Sequence, residues 1–189
     1  MVKVEQFIRE LCAIGERGFT VPRVAGYVAS NPVDPDSLAP YLCYRPTHYT
    51  RNLIYKCDLF ELIAICWETG QGSQIHNHQN QNCWMAAPIG RLAIQNYRIA
   101  RGDEAGGFCE LVPSDRLLMD PSHPSFVDPA NPIHAVLNLP EFAERATSLH
   151  IYSRPYDHCL VYSLEEKSCR DVPLFYDSEY GRPVAATPR

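Results

Sequence analysis

Hydrophobic positions at the start of the chain recur with the period of a helix. Val4, Phe7, Ile8, Leu11 and Cys12 lie three and four residues apart, and Gly15 and Gly18 supply a stop. A second short helix is expected from Pro22, along Val24, Ala25, Tyr27 and Val28, until Asn31-Pro32-Val33-Asp34-Pro35-Asp36 breaks regular structure. From about residue 50 the pattern becomes short extended runs divided by turn residues. Residues 62–67 form a continuous apolar strand closed by Glu68-Thr69-Gly70-Gln71-Gly72. Further strands are expected at 83–87, 91–99, 109–112, 117–120, 135–139, 148–153 and 158–163. About eight to ten strands after a helical start predict a mainly β chain, either a closed barrel or a double-sheet jelly roll. With no repeat or linker, residues 1–189 read as one domain, in which roughly the first 45 residues pack as a helical segment on the barrel.

Composition narrows the function classes. Apolar residues at 46% and charged residues at 21% exclude a disordered or fibrous chain. Seventeen basic against 22 acidic residues leave a net charge of −5, which argues against a nucleic-acid partner. No apolar run is long enough for a bilayer, so no membrane partner is expected. The polar start Met1-Val2-Lys3-Val4-Glu5-Gln6 and eight scattered cysteines without a CxxC pair lead us to expect a cytoplasmic monomer with reduced thiols.

The informative tetrapeptide is Ile75-His76-Asn77-His78. In a strand, residues i and i+2 face the same way, and two convergent imidazoles suit a first-row metal. Reading outward gives Gly70, His76, His78, Cys83 and Gly90 at the spacing of the first cupin motif, G(X)5HXH(X)3-4E(X)6G, with Cys83 in place of Glu. Pro129-x-Asn131-x-x-His134-x-x-x-Asn138 resembles the second motif, with Asn131 in place of Gly and His123 where an earlier Gly is usual. This resemblance implies a single cupin jelly-roll β-barrel whose His76, His78 and His134 bind one metal. Without the Glu, the ligands are three neutral groups, which favours an incoming anion such as a thiolate.

The flanks resemble a narrower family. His48-Tyr49-Thr50-Arg51-Asn52-Leu53, Cys66-Trp67, Gly72-Ser73-Gln74-Ile75-His76-Asn77-His78, Cys83, Ser148-Leu149-His150-Ile151-Tyr152-Ser153 and Cys159 are similar to the cysteine dioxygenases, over most of the chain after residue 40. That resemblance implies one Fe(II) per chain, a small thiol and O2 as reactants, addition of both oxygen atoms to the sulfur of L-cysteine, and cysteine sulfinate as product. It implies that Arg51 pairs with the substrate carboxylate and that Tyr49 adds a hydrogen bond. Ser148, His150 and Tyr152 become a relay that aims the phenol at the substrate, and Cys83 and Tyr152 form a thioether crosslink that affects rate.

Two positions depart from the mammalian pattern. Ser153-Arg154-Pro155 stands where Ser-Pro-Pro is usual, and a Ser153–Arg154 bond is expected to be trans. Related enzymes acting on 3-mercaptopropionate resemble this chain in having that Arg, but carry Gln where this chain has Arg51. Cysteine is the expected substrate, with 3-mercaptopropionate or mercaptosuccinate as alternatives. A non-catalytic or isomerase-type metal cupin is the alternative of another class. Trp67, Trp84 and the other cysteines read as packing residues, and His48, His123 and His158 hold no motif position.

Overall fold

The computed structural model describes residues 1–127 and 132–184. Two helices open the chain, α1 (Val4–Glu16) and α2 (Val21–Ser30), as the periodicity predicts. The break after α2 is shorter than expected. Asp34 accepts a hydrogen bond from the Asp36 amide and caps a 3-10 helix, Pro35–Tyr41. The strands that follow are β1 (Thr50–Lys56), β2 (Glu61–Trp67), β3 (Ile75–His76), β4 (Asn82–Ile89), β5 (Leu92–Asp103) and β6 (Phe108–Met119). After these come β7 (Ser125–Phe126), β8 (His134–Leu137), β9 (Ala146–Ser153), β10 (His158–Ser163), β11 (Ser168–Pro173), β12 (Ser178–Glu179) and β13 (Arg182–Pro183).

They form the two-sheet barrel expected. One sheet has the order β13-β12-β1-β2-β9-β4-β7, and the other closes as β10-β11-β6-β5-β8-β3. Strand β2 is apolar along nearly its whole length because both its faces are covered. Leu62 and Ala64 point outward to the helices, where they meet Phe7, Leu11, Val24 and Val28. Ile63, Ile65 and Trp67 point inward, against Met85, Ile94, Val136 and Tyr152. Strand β9 alternates likewise. Leu149 and Ile151 join the outer core, and the intervening Ser148, His150 and Tyr152 are buried on the inner face.

Three local expectations change. The runs at 109–112 and 117–120 are one strand, β6, because Pro113 falls at an irregularity in the β5–β6 ladder, where its missing N–H is tolerated. Only His76 of the His-x-His pair lies in a strand. His78 follows β3 and precedes a turn at Gln79 and Asn80, both with positive φ. The Ser153–Arg154 bond is cis, not trans. It is held where Ser153 pairs with Asn82 and the Arg154 amide donates to Gln81 Oε1 at 2.5 Å.

The motif glycines have backbone reasons. Gly70 and Gly90 take φ of +85° and +71°, and a Cβ at Gly90 would stand 2.6 Å from the Arg145 carbonyl oxygen. Asn138 ties the same end together by donating to the carbonyls of Trp67 and Glu144. Pro129 and Asn131 lie outside the described residues.

Candidate metal centre

Three imidazoles converge from β3, the turn after it and β8. Register brings them together, since His76 of β3 pairs directly with His134 of β8. Ligand atoms of His76, His78 and His134 lie within 4.8 Å of one another, and their ring centroids are 4.8–5.1 Å apart. His76 Nδ1 donates to the Gln74 carbonyl at 2.9 Å, so its Nε2 carries a lone pair. Among the described residues, His134 Nε2 is buried with no hydrogen-bond partner. The Pro132 carbonyl approaches His78, yet neither His78 ring nitrogen completes a regular hydrogen bond.

Burial first, and then the neighbouring imidazoles, hold His78 and His134 well below the usual histidine range. Burial also pushes His76 down to about 4, against the pull of its Gln74 hydrogen bond. All three rings are therefore neutral at physiological pH, the form that binds metals. Buried nitrogens left without partners cost free energy that a cation would recover.

Arg51 stands beside this cluster. Its backbone is bracketed by Asp177, whose carboxylate accepts from the Arg51 amide at 2.9 Å and whose own amide donates to the Arg51 carbonyl at 2.7 Å. The guanidinium Nε and Nη2 are buried without partners among the described residues, and the group lies 6.0 Å from the Tyr152 ring centroid. Arg51 and His76 line one cavity of about 330 Å³ together with Tyr49, Gln74, Tyr156 and Cys159. Tyr49 is stacked on Trp67 at 4.7 Å.

Behind the imidazoles runs a hydrogen-bonded chain that starts from a fixed donor. Trp67 Nε1 can only donate, and it donates to Ser148 Oγ at 2.9 Å. Ser148 Oγ also lies 2.9 Å from His150 Nε2. His150 Nδ1 meets the Tyr152 hydroxyl at 3.0 Å, so the ring accepts from Ser148 and donates to Tyr152 in one tautomer and does the reverse in the other. Burial lowers His150 to about 3 and holds Tyr152 well above its usual range, so the relay is neutral throughout. Cys83 lies beside it, with Sγ 3.9 Å from His150 Nδ1.

The structure thus brings the nine residues singled out in the sequence into one neighbourhood: His76, His78 and His134 cluster, Tyr49 and Arg51 share a cavity wall with His76, and Cys83, Ser148, His150 and Tyr152 form a chain whose Tyr152 ring stacks on His78 and lies near Arg51. Sequence reasoning missed Trp67, which it assigned to packing, and also Tyr156, Glu61 and Tyr176. Tyr156 stands edge-on to Tyr152 at 5.1 Å. Glu61, fully buried, pairs across the sheet with Tyr152 and accepts from Tyr176 Oη at 2.5 Å.

A family model described as cysteine dioxygenase type I matches residues 1–165. Human cysteine dioxygenase type 1 is 29% identical over 149 residues, covering 78% of this chain and 72% of the human protein. The Danio rerio protein of the same name is 28% identical over 153 residues, covering 80% and 73%. Among solved structures, a cupin superfamily protein from Desulfitobacterium hafniense DCB-2 covers 66% of this chain and 92% of its own. It is 14% identical, with a TM-score of 0.46.

Proposed function

The chain belongs to the cysteine dioxygenase type I family, and we propose that it adds both atoms of O2 to the thiol of L-cysteine, giving cysteine sulfinate. One observation carries this reading. Three clustered imidazoles, of which His78 and His134 hold buried nitrogens without partners among the described residues, adjoin through His76 a cavity that a buried arginine with unpartnered donors also lines, which suits a cation beside a carboxylate. His76, His78 and His134 would hold one Fe(II), which when bound supplies the oxidising chemistry. Three uncharged ligands leave that cation its full charge and so favour a thiolate over a neutral donor.

Arg51 binds the substrate carboxylate through its planar fork, a charge-assisted pair made inside a dry site. With its carboxylate held by Arg51, the substrate delivers its sulfur toward the imidazoles at the His76 side of the cavity. Tyr49 lines the same wall and supplies a second donor to the carboxylate. The relay from Trp67 through Ser148 and His150 holds the Tyr152 proton ready to donate to the oxygen-bearing sulfur product. Cys83 and Tyr152 form a thioether in which the thiol and a ring C–H each give up one hydrogen, and O2 takes up both with two electrons to leave as hydrogen peroxide.

A second reading, a thiol dicarboxylate such as mercaptosuccinate, is favoured by Arg170, which lines the same cavity at its exposed end. The deciding experiment is oxygen uptake by iron-loaded protein given cysteine, 3-mercaptopropionate or mercaptosuccinate in turn, with products identified by mass. Sulfinate from cysteine with the highest kcat/KM supports the first reading. Preference for mercaptosuccinate supports the second, and no thiol-dependent uptake overturns both.

A further inference from the structure

Away from the metal centre, Cys109 of β6 and Cys169 of β11 approach each other on the outer, six-stranded sheet. Their Sγ atoms are 3.5 Å apart, both thiols are free, and 60 residues separate them in sequence. The ladder places them on one face. Phe108 pairs with Ser168, the Cys109 amide donates to the Lys167 carbonyl, and the Cys169 amide donates to the Gly107 carbonyl. Both sit in a small core with Leu111, Tyr162 and Ile133. They differ in access, because Cys109 is fully buried and Cys169 only half-buried.

The contacts around the pair are ordered. The Cys109 thiol donates toward Cys169 Sγ, and the Cys169 thiol donates to the Glu104 carbonyl at 3.7 Å. The Glu104 carboxylate accepts from Tyr162 Oη and from Asn77 Nδ2. Asn77 stands between the two histidines His76 and His78, and its Oδ1 accepts from the Leu160 amide at 3.1 Å. The pair is therefore linked, through Glu104 and Asn77, to the segment that carries His76 and His78.

We propose that Cys109 and Cys169 are a redox-modification site, a dithiol that small-molecule disulfides oxidise to an intrachain disulfide joining β6 to β11. The accessible Cys169 reacts first. Its thiolate attacks one sulfur of R–S–S–R, the S–S bond breaks, and one RS⁻ leaves and takes up a proton. The Cys109 sulfur then attacks the Cys169 sulfur of the mixed disulfide, a second RS⁻ leaves, and it carries away the Cys109 proton. Two protein thiols are oxidised by two electrons, and one small disulfide is reduced to two thiols.

The test incubates full-length protein with excess oxidised glutathione in the absence of O2, then alkylates, digests and maps the peptides. The expected result is a peptide pair joined through Cys109 and Cys169, lighter by about two hydrogens and separated by dithiothreitol, which a thioether would survive. The oxidised protein melts higher by roughly 5 °C or more, because the crosslink restrains a long loop in the unfolded chain. Cys169→Ser gives neither the joined peptides nor the shift. Glutathione persisting on Cys169 while Cys109 stays alkylatable, both thiols remaining free, or either cysteine joining a different partner overturns the proposal. The peptide map of the parent protein decides the matter even if the variant does not fold.

Discussion

Cys83 and Tyr152 stand directly opposite each other across the β4–β9 ladder, on the inner face of the barrel. Directly opposed residues of an antiparallel pair hold their Cβ atoms about 4.5–5.5 Å apart, close enough for side chains to react. Burial pushes the Cys83 thiol well up, so it reacts by oxidation coupled to turnover and not as a free thiolate. After repeated turnover, the intact mass is expected to fall by about two hydrogens and to resist dithiothreitol. Cys83→Ala should keep its mass, keep its iron and lose a few-fold in kcat. An unchanged mass in the parent protein after turnover removes the crosslink.

Arg51→Gln is expected to separate substrate binding from metal binding. The variant loses a hydrogen-bonded ion pair worth about 1.5–3 kcal/mol, so kcat/KM for cysteine should fall roughly 10- to 100-fold, mainly through KM. Iron content should not change, because Arg51 offers no lone pair to a cation. Turnover of cysteine at the parent rate would mean that the substrate carboxylate lies elsewhere.

The hydrogen-bonded chain has its own test. Trp67→Phe keeps an aromatic ring against Tyr49 but removes the donor that holds Ser148 Oγ beside His150. The released Ser148 hydroxyl then holds the imidazole less firmly against Tyr152. We expect kcat to fall several-fold with KM nearly constant, and Ser148→Ala to produce a loss of similar size. Combined, the two substitutions should cost little more than either alone. Full additivity would show that Trp67 acts by packing.

Much of this centre was legible because its signals are local. His76 and His78 are two residues apart, and Ser148, His150 and Tyr152 alternate along one strand, so their shared faces follow from strand geometry. Trp67 was not legible as a polar partner, because its acceptor is 81 residues away and its indole sits at the end of an apolar run. Glu61 was hidden for the same reason. It begins the run 61–67, and its partner Tyr176 is 115 residues later, beyond the part of the chain that the family model matches. The Ser153–Arg154 bond went against a sound general preference, since nothing local in the sequence announces the contacts with Gln81 and Asn82 that surround it.

Removing the metal should be visible in stability as well as activity. The unpartnered nitrogens of His78 and His134 are buried whether or not a cation satisfies them, so the ion favours the folded state alone. With free Fe(II) at about 100 times its Kd, chelation is expected to lower Tm by roughly 5 °C. His134→Ala should melt at the same temperature with and without chelator. A melting point in the parent protein that ignores the metal would place the ion outside this cluster.

Glu61 offers a prediction in pH. Its Oε2 accepts from Tyr176 and lies 3.9 Å from Lys56 Nζ, while its Oε1 is buried without a partner. Burial raises its pKa, against the opposing pull of Tyr176, Arg51 and Lys56. A carboxyl whose pKa is higher folded than unfolded binds its proton more tightly in the folded state. Its contribution is therefore present at acid pH and is lost as pH rises from the ordinary carboxylate range through the raised value. Glu61→Gln keeps an acceptor for Tyr176 and cannot ionise. Relative to the parent, the variant should gain stability between about pH 4 and about pH 8, measured as the difference in Tm at the two ends. Tyr176→Phe should act in the opposite sense at the upper end, because it withdraws the one short hydrogen bond that supports the charged form. Parallel melting profiles for the parent and Glu61→Gln would show that this carboxyl does not change its protonation on folding.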